Sequence, residues 1–137
     1  MIGLDTNVLV RYIVRDDPRQ TTVATRIVES QCRKNAPGIV SAMVLCELVW
    51  VLDRGYGYRR ADIVKVLRGL LGAEDLEVES SERAWQALNL YEREKADFAD
   101  YWIGLTNRVL KAEITYTFDE RAAGNPLFRM ADGASAR

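Results

Sequence analysis

The chemistry open to this sequence is bounded first by a residue it lacks. None of its 137 residues is histidine, which removes Ser-His-Asp and Cys-His catalysis, histidine general bases and histidine-containing zinc sites. The only cysteines, Cys32 and Cys46, are far from a C-x-x-C spacing, so a zinc ribbon or dithiol redox centre is also excluded. They read as reduced, buried, small apolar residues on helices, as free cysteines are in a cytoplasm. Chemistry must come from carboxylates, hydroxyls, lysine or tyrosine, with a metal ion as the natural helper.

Five acids stand out. Asp5 directly follows the apolar opening, and Asp119 follows Thr117 and Phe118 at the end of the last β-rich stretch. Each also reads as the N-cap of a following helix. Glu47 is the only charged residue between Ala42 and Leu52, on a helix otherwise apolar all round. Burying an unpaired carboxylate costs on the order of several kcal/mol, so Glu47 is expected to have an arginine partner or a metal or catalytic role. Asp97 and Asp100 are three apart, about 300° of helix rotation, and share a face. The same spacing fits the N-cap and N3 positions of a capping box, where both acids complement the helix dipole.

Carboxylates brought within about 4 Å of one another repel by roughly 1–4 kcal/mol per pair. Such a cluster persists by keeping some acids protonated or by binding hard cations. An all-oxygen, histidine-free set suits Mg²⁺ or Mn²⁺. Two such ions roughly 3.5–4 Å apart would activate a water and stabilise the leaving oxygen of a phosphodiester.

These acids can meet only if the scaffold delivers them to one edge. The pattern predicts a strand over 1–4, a helix over 6–14 and a second from Pro18 to about Lys34. A short strand follows at 39–40, then a helix from Ala42 to about Arg54 with Ser41 as N-cap. Further helices are expected over 61–71, 81–95 and 98–111, with strands at 76–79 and 114–118 and a helical turn opening at Asp119. Strands separated by long helical crossovers must lie parallel. The expected fold is therefore a three-layer α/β/α with a central parallel sheet of four or five strands, whose carboxyl edge is the place for a ligand.

On these residues the chain resembles the PIN-domain nucleases, and within them the VapC toxin ribonucleases of toxin–antitoxin pairs. The segments that carry the resemblance are Gly3-Leu4-Asp5-Thr6-Asn7, Ser41 to Leu48, Ala96-Asp97-Phe98-Ala99-Asp100 and Thr117-Phe118-Asp119. The resemblance implies one PIN-like nuclease domain over 1–131, with 132–137 a frayed tail. It implies Asp5, Glu47 and Asp100 as the core metal-binding acids, Asp119 as a fourth, and Asp97 as a further acid at the catalytic centre. Asn7 and Ser41 match polar positions that orient the acids. It further implies Mg²⁺ or Mn²⁺ as cofactor, RNA (tRNA, rRNA or mRNA) as substrate, a cognate antitoxin as partner, and a homodimer.

The remaining composition is that of a soluble globular domain: 48% hydrophobic, 28% charged, formal net charge -1. Nearly balanced charge excludes binding of nucleic acid by bulk positive charge alone. No signal peptide or membrane span is expected, which places the chain in the cytoplasm. Fifteen of its 19 cations are arginine, the residue suited to forked phosphate contacts. Arg11 and Arg15 could line a groove beside Asp5. Arg59 and Arg60, with Arg54, surround Tyr56 and Tyr58, which could stack on unpaired bases or simply pack on arginine stems. Trp50, Trp85 and Trp102 are expected as core or dimer contacts. Two other functions remain open from the residues alone. One is a phosphatase or phospho-acceptor domain with Asp5 as nucleophile, against which Asn7 stands where a second Asp is wanted. The other is a silent PIN-like interaction scaffold.

Overall fold

The computed structural model describes residues 1–132; the tail expected to fray falls, but for Asp132, outside the described residues. Two compact units divide the chain, Met1–Ala84 and a second from Trp85 onward, with the boundary inside one helix.

The first unit opens on β1 (Ile2–Gly3) and α1 (Thr6–Val14), followed by α2 (Pro18–Arg26), β2 (Gly38–Val40), α3 (Ala42–Trp50), α4 (Arg60–Gly72) and β3 (Leu76–Val78). Asp17 caps α2 by accepting from Gln20 N–H at 3.0 Å, and Pro18 begins the helix where a missing N–H costs nothing. The helices expected to run on to Lys34 and Arg54 instead widen into π-helical turns, Ile27–Gln31 and Val51–Gly55. Cys32 consequently sits in extended backbone just past the first of these turns, not on a helix.

Strands β1, β2 and β3 form one parallel sheet in that order, with Gly3 opposite Ile39 and Val40 opposite Val78. Its helices bury Leu9, Leu45, Leu48, Leu52, Ile63 and Leu67. A β-carbon on Gly38 would lie 2.6 Å from Cys32 Sγ, so only glycine lets the cysteine pack over β2.

The second unit holds most of α5 (Ser81–Arg93), then α6 (Phe98–Val109), β4 (Thr115–Thr117), α7 (Glu120–Ala123) and β5 (Phe128–Met130). Its core contains Leu88, Tyr91, Phe98, Tyr101 and Phe128, with Tyr91 and Phe98 meeting edge to face at 6.1 Å. Gly104 gives Phe128 its place, since a β-carbon there would come within 2.8 Å of the ring.

The chain has the expected α/β class, with parallel strands joined through helices. The single sheet of four or five strands is corrected: the described residues form five strands, three in the main sheet and two, β4 and β5, paired parallel to each other. The β4–β5 connection is ten residues through the short α7, so closing that loop costs little entropy. No described helix is long and apolar enough to cross a membrane.

Candidate active site

In the first unit the parallel register lines up three strand ends. Asp5 lies two residues beyond β1, Ser41 one beyond β2 and Glu79 one beyond β3. All three are helix caps or cap-like acceptors. Asp5 Oδ1 accepts from Thr6 N–H at 2.7 Å, Ser41 Oγ from Val44 N–H at 3.2 Å, and Glu79 Oε1 from Ala42 N–H at 2.8 Å. Glu79, absent from the sequence reading, thus satisfies the first orphan donor of α3. Its signal was available, an acid directly after a strand, as with Asp5.

Thr6 is a second residue the sequence reading passed over. Its hydroxyl is buried beside Asp5 and has no hydrogen-bond partner among the described residues. A buried unsatisfied hydroxyl costs about 1–3 kcal/mol, and such an atom in a native structure calls for an explanation. Asn7, one residue on, is exposed.

Glu47 departs from expectation. It is exposed, and Met43 and Trp50, one turn to either side, are 74% and 64% exposed. One side of α3 therefore faces outward although nearly every residue on it is apolar. The desolvation penalty that demanded a partner does not arise, and Glu47 has no ion pair or hydrogen bond among the described residues. On the same helix Cys46 is half-buried and its thiol is pushed up to about 11 by burial, which keeps it protonated at neutral pH.

In the second unit, Asp97 is the N-cap of α6 and Asp100 its N3 residue, forming a capping box in which Asp97 N–H donates to Asp100 Oδ2 at 3.1 Å. Asp119 caps α7, its Oδ1 accepting from Arg121 N–H at 2.8 Å and Ala122 N–H at 3.4 Å, with Arg121 Nε at 3.6 Å. The capping readings of Asp5, Asp97, Asp100 and Asp119 are thus realised. The caps leave coordinating capacity: those of Asp5 and Asp119 use Oδ1, and that of Asp100 uses Oδ2. Asp100 is the acid the fold perturbs. Burial pushes its carboxyl above the ordinary 3.8, and the charges of Asp97 and Asp119 add to the rise, against the Asp97 backbone N–H and Arg121. Among the described residues, no three acid or cysteine side chains converge as a ready-made metal-holding group. The physical reason is that four of the acids are drawn to their own helix N-termini, and Glu47 extends from α3 into solvent.

The sequence pattern of the PIN domain matches residues 2–125. The chain belongs to the PIN-domain family. Within it, the chain is 30% identical over 97 residues to a VapC ribonuclease of Aquifex aeolicus (strain VF5), covering 71% of each protein. No solved structure matches it.

The basic residues of this PIN domain are less free than their sequence suggests. Arg11 Nη1 donates to Asp16 Oδ1 at 2.9 Å and to Tyr56 Oη at 3.0 Å, and its Nε to Gln20 Oε1 at 2.6 Å. Tyr56 Oη in turn donates to Asp16 Oδ2 at 2.9 Å. Tyr56 is therefore fixed by its hydroxyl, and Tyr58 is half-buried. Arg59 pairs with Asp62 at 3.1 Å, Arg60 opens α4 half-buried, and Arg15 stands exposed in a left-handed conformation at φ 61°. Of the tryptophans, Trp102 stacks near Phe98 at 6.4 Å, whereas Trp50 and Trp85 are exposed rather than core.

Proposed function

We propose that this PIN domain, spanning residues 1–131, is a Mg²⁺- or Mn²⁺-dependent endoribonuclease serving as the toxin of a toxin–antitoxin pair in the cytoplasm. The observation that carries the reading is the placement of Asp100, half-buried in the first turn of α6 beside Asp97 and Asp119, in a chain whose residues 2–125 match the PIN domain. A site where carboxylates repel one another is one that a hard cation stabilises. Within the first unit, the orphan hydroxyl of Thr6 beside Asp5 offers an oxygen of the kind a hard cation or its water would take. The name of the Aquifex relative supports RNA as the substrate.

Asp5, Glu47, Asp100 and Asp119 would hold the metal. When bound, a divalent ion supplies the charge that activates a water and steadies the departing 3′-oxygen. A carboxylate of the site, Asp97 beside Asp100 among them, would accept or relay the proton lost by the attacking water. Asn7 and Ser41 orient the acids, and Arg11, Arg15, Arg59 and Arg60 contact the RNA backbone. A cognate antitoxin silences the enzyme. Exposed Trp85 would supply apolar surface for a homodimer.

The test is cleavage of end-labelled total RNA by antitoxin-free protein in Mg²⁺, Mn²⁺ or EDTA, beside Asp5→Asn and Asp100→Asn. Metal-dependent cuts that vanish in both variants are expected. RNA left intact under every condition means a silent scaffold, and a trapped aspartyl-phosphate at Asp5 means a phosphatase.

A further inference from the structure

Between α1 and α2 runs a cleft of about 430 Å³. From α1 it takes Asn7, Val8 and Arg11, and from α2 Arg19, Gln20 and Val23. The spacing explains this: Arg11 lies four and three residues from Asn7 and Val8, and Val23 four and three from Arg19 and Gln20, which makes them neighbours on a helix surface. No acid lines the cleft, while two arginines do. Asn7 stands two residues after Asp5, so one end of the cleft begins next to an acid assigned to the metal.

Arg11 is held as an oriented donor. Its Nε and both N–H groups of Nη1 are taken by Gln20, Asp16 and Tyr56, which leaves Nη2 with two N–H groups unengaged among the described residues. A guanidinium is charged at any working pH, and the same partners favour that charged form further. Three hydrogen bonds from α2, the α1–α2 turn and the segment after α3 fix the plane of the group before any ligand arrives, which lowers the ordering cost of binding. Arg19, across the cleft, is exposed and has no partner among the described residues. It supplies the net positive charge that Asp16 partly offsets at Arg11.

The geometry points to the α1–α2 cleft as a phosphodiester subsite that leads single-stranded RNA to Asp5, with Arg11 Nη2 and Arg19 as the phosphate contacts and Asp16, Gln20 and Tyr56 as positioning residues for Arg11. The subsite rests on the ribonuclease reading and extends it to a strand path. A fixed guanidinium edge suits a phosphate oxygen, and the apolar lining of Val8 and Val23 accommodates a ribose or base edge.

The experiment is fluorescence anisotropy of a labelled single-stranded RNA dodecamer in EDTA, where cleavage is off, titrated over a range of salt concentrations. Removing one phosphate-neutralising cation lowers the slope of log K against log salt by about 0.7. Arg19→Gln and Arg11→Gln are each expected to show that drop and to weaken binding about fivefold to tenfold at roughly 0.1 M salt, Arg11→Gln the more because it uncovers Asp16. Tyr56→Phe keeps the charge and is expected to weaken binding about twofold to threefold with the slope unchanged, the mark of lost orientation. Arg26→Gln, an exposed α2 arginine outside the cleft, should match wild type. If Arg11→Gln fails to fold, Arg19→Gln still decides.

Variants at Arg11 and Arg19 that bind RNA as wild type does, in a protein that cleaves RNA with Mg²⁺, overturn the cleft and leave the ribonuclease reading standing. A wild type that neither binds nor cleaves RNA overturns both. Binding of an oligoglutamate peptide that depends on Arg11 and Arg19, while RNA binding does not, assigns the cleft to an acidic protein segment and overturns the proposal.

Discussion

Asp16 in the first unit and Asp100 in the second are carboxylates of one kind driven in opposite directions. Asp16 accepts a hydrogen bond from the Tyr56 hydroxyl and pairs with Arg11, and its carboxyl is held below the ordinary range. Asp100 is half-buried beside Asp97 and Asp119, and its carboxyl is pushed up. One cluster is satisfied by its own members; the other sets three acids against the single cation Arg121. A self-satisfied cluster can orient a group, as it does for Arg11. An unsatisfied one stores a demand for a cation. That difference separates positioning from chemistry in this molecule.

The sharpest way to break the comparison is to remove the unsatisfied charge. Asp100→Asn is expected to lower RNA cleavage by about 10³-fold, the scale of losing metal-assisted charge stabilisation, measured as single-turnover rates in Mg²⁺. Cleavage within about tenfold of wild type would place the unsatisfied charge outside the chemistry. Glu47→Gln should be as damaging to cleavage, yet shift stability by no more than about 0.5 kcal/mol, because the side chain is exposed. A large fall in melting temperature would show Glu47 to be part of the scaffold.

The core of the second unit offers a smaller, purely structural effect. Gly104→Ala drives a methyl into Phe128 and is expected to cost about 1–3 kcal/mol of stability by denaturant melting. An unchanged midpoint would mean that the ring moves aside freely.

The smallest effects are mirror images in pH. Asp100 holds its proton more tightly folded than unfolded, so its ionisation destabilises the native state. Asp100→Asn should therefore be more stable than wild type at neutral pH, and the gain should fade as pH falls through the raised value towards 3.8. Asp16 has the opposite sign. Asp16→Asn should be slightly less stable than wild type at neutral pH, with the deficit lost as pH falls below 3.8 through the lowered value. The Asp16 effect is the weaker, since an exposed ion pair contributes little. Two melting-temperature profiles that bend the same way would refute the contrast.

Much of this was legible in the residues. The period of apolar positions located all seven described α-helices and four of the five described strands, because burial imposes that period locally. The strand Phe128–Met130 was missed because Arg129 and Met130 are not strong strand formers and its pairing with Thr115–Thr117 is a tertiary contact that no local pattern encodes. The π-helical turns were missed because composition does not distinguish them from continued α-helix. Glu47 misled for a related reason: an apolar stretch reads as buried all round, whereas α3 exposes the side bearing Met43, Glu47 and Trp50. Arg11 and Tyr56 were visible as candidates for RNA, but their mutual hydrogen bond joins positions 45 apart, which no local pattern encodes.

The amino-acid sequence alone settled the chemical vocabulary of this protein, acids and arginines without histidine, and the parallel α/β scaffold that carries it, since residue type and periodicity are local properties. Tertiary structure alone decided which charges are answered and which are not. A carboxylate's pKa depends on its burial and on neighbours brought in from distant segments, and those distances exist only once the chain has folded.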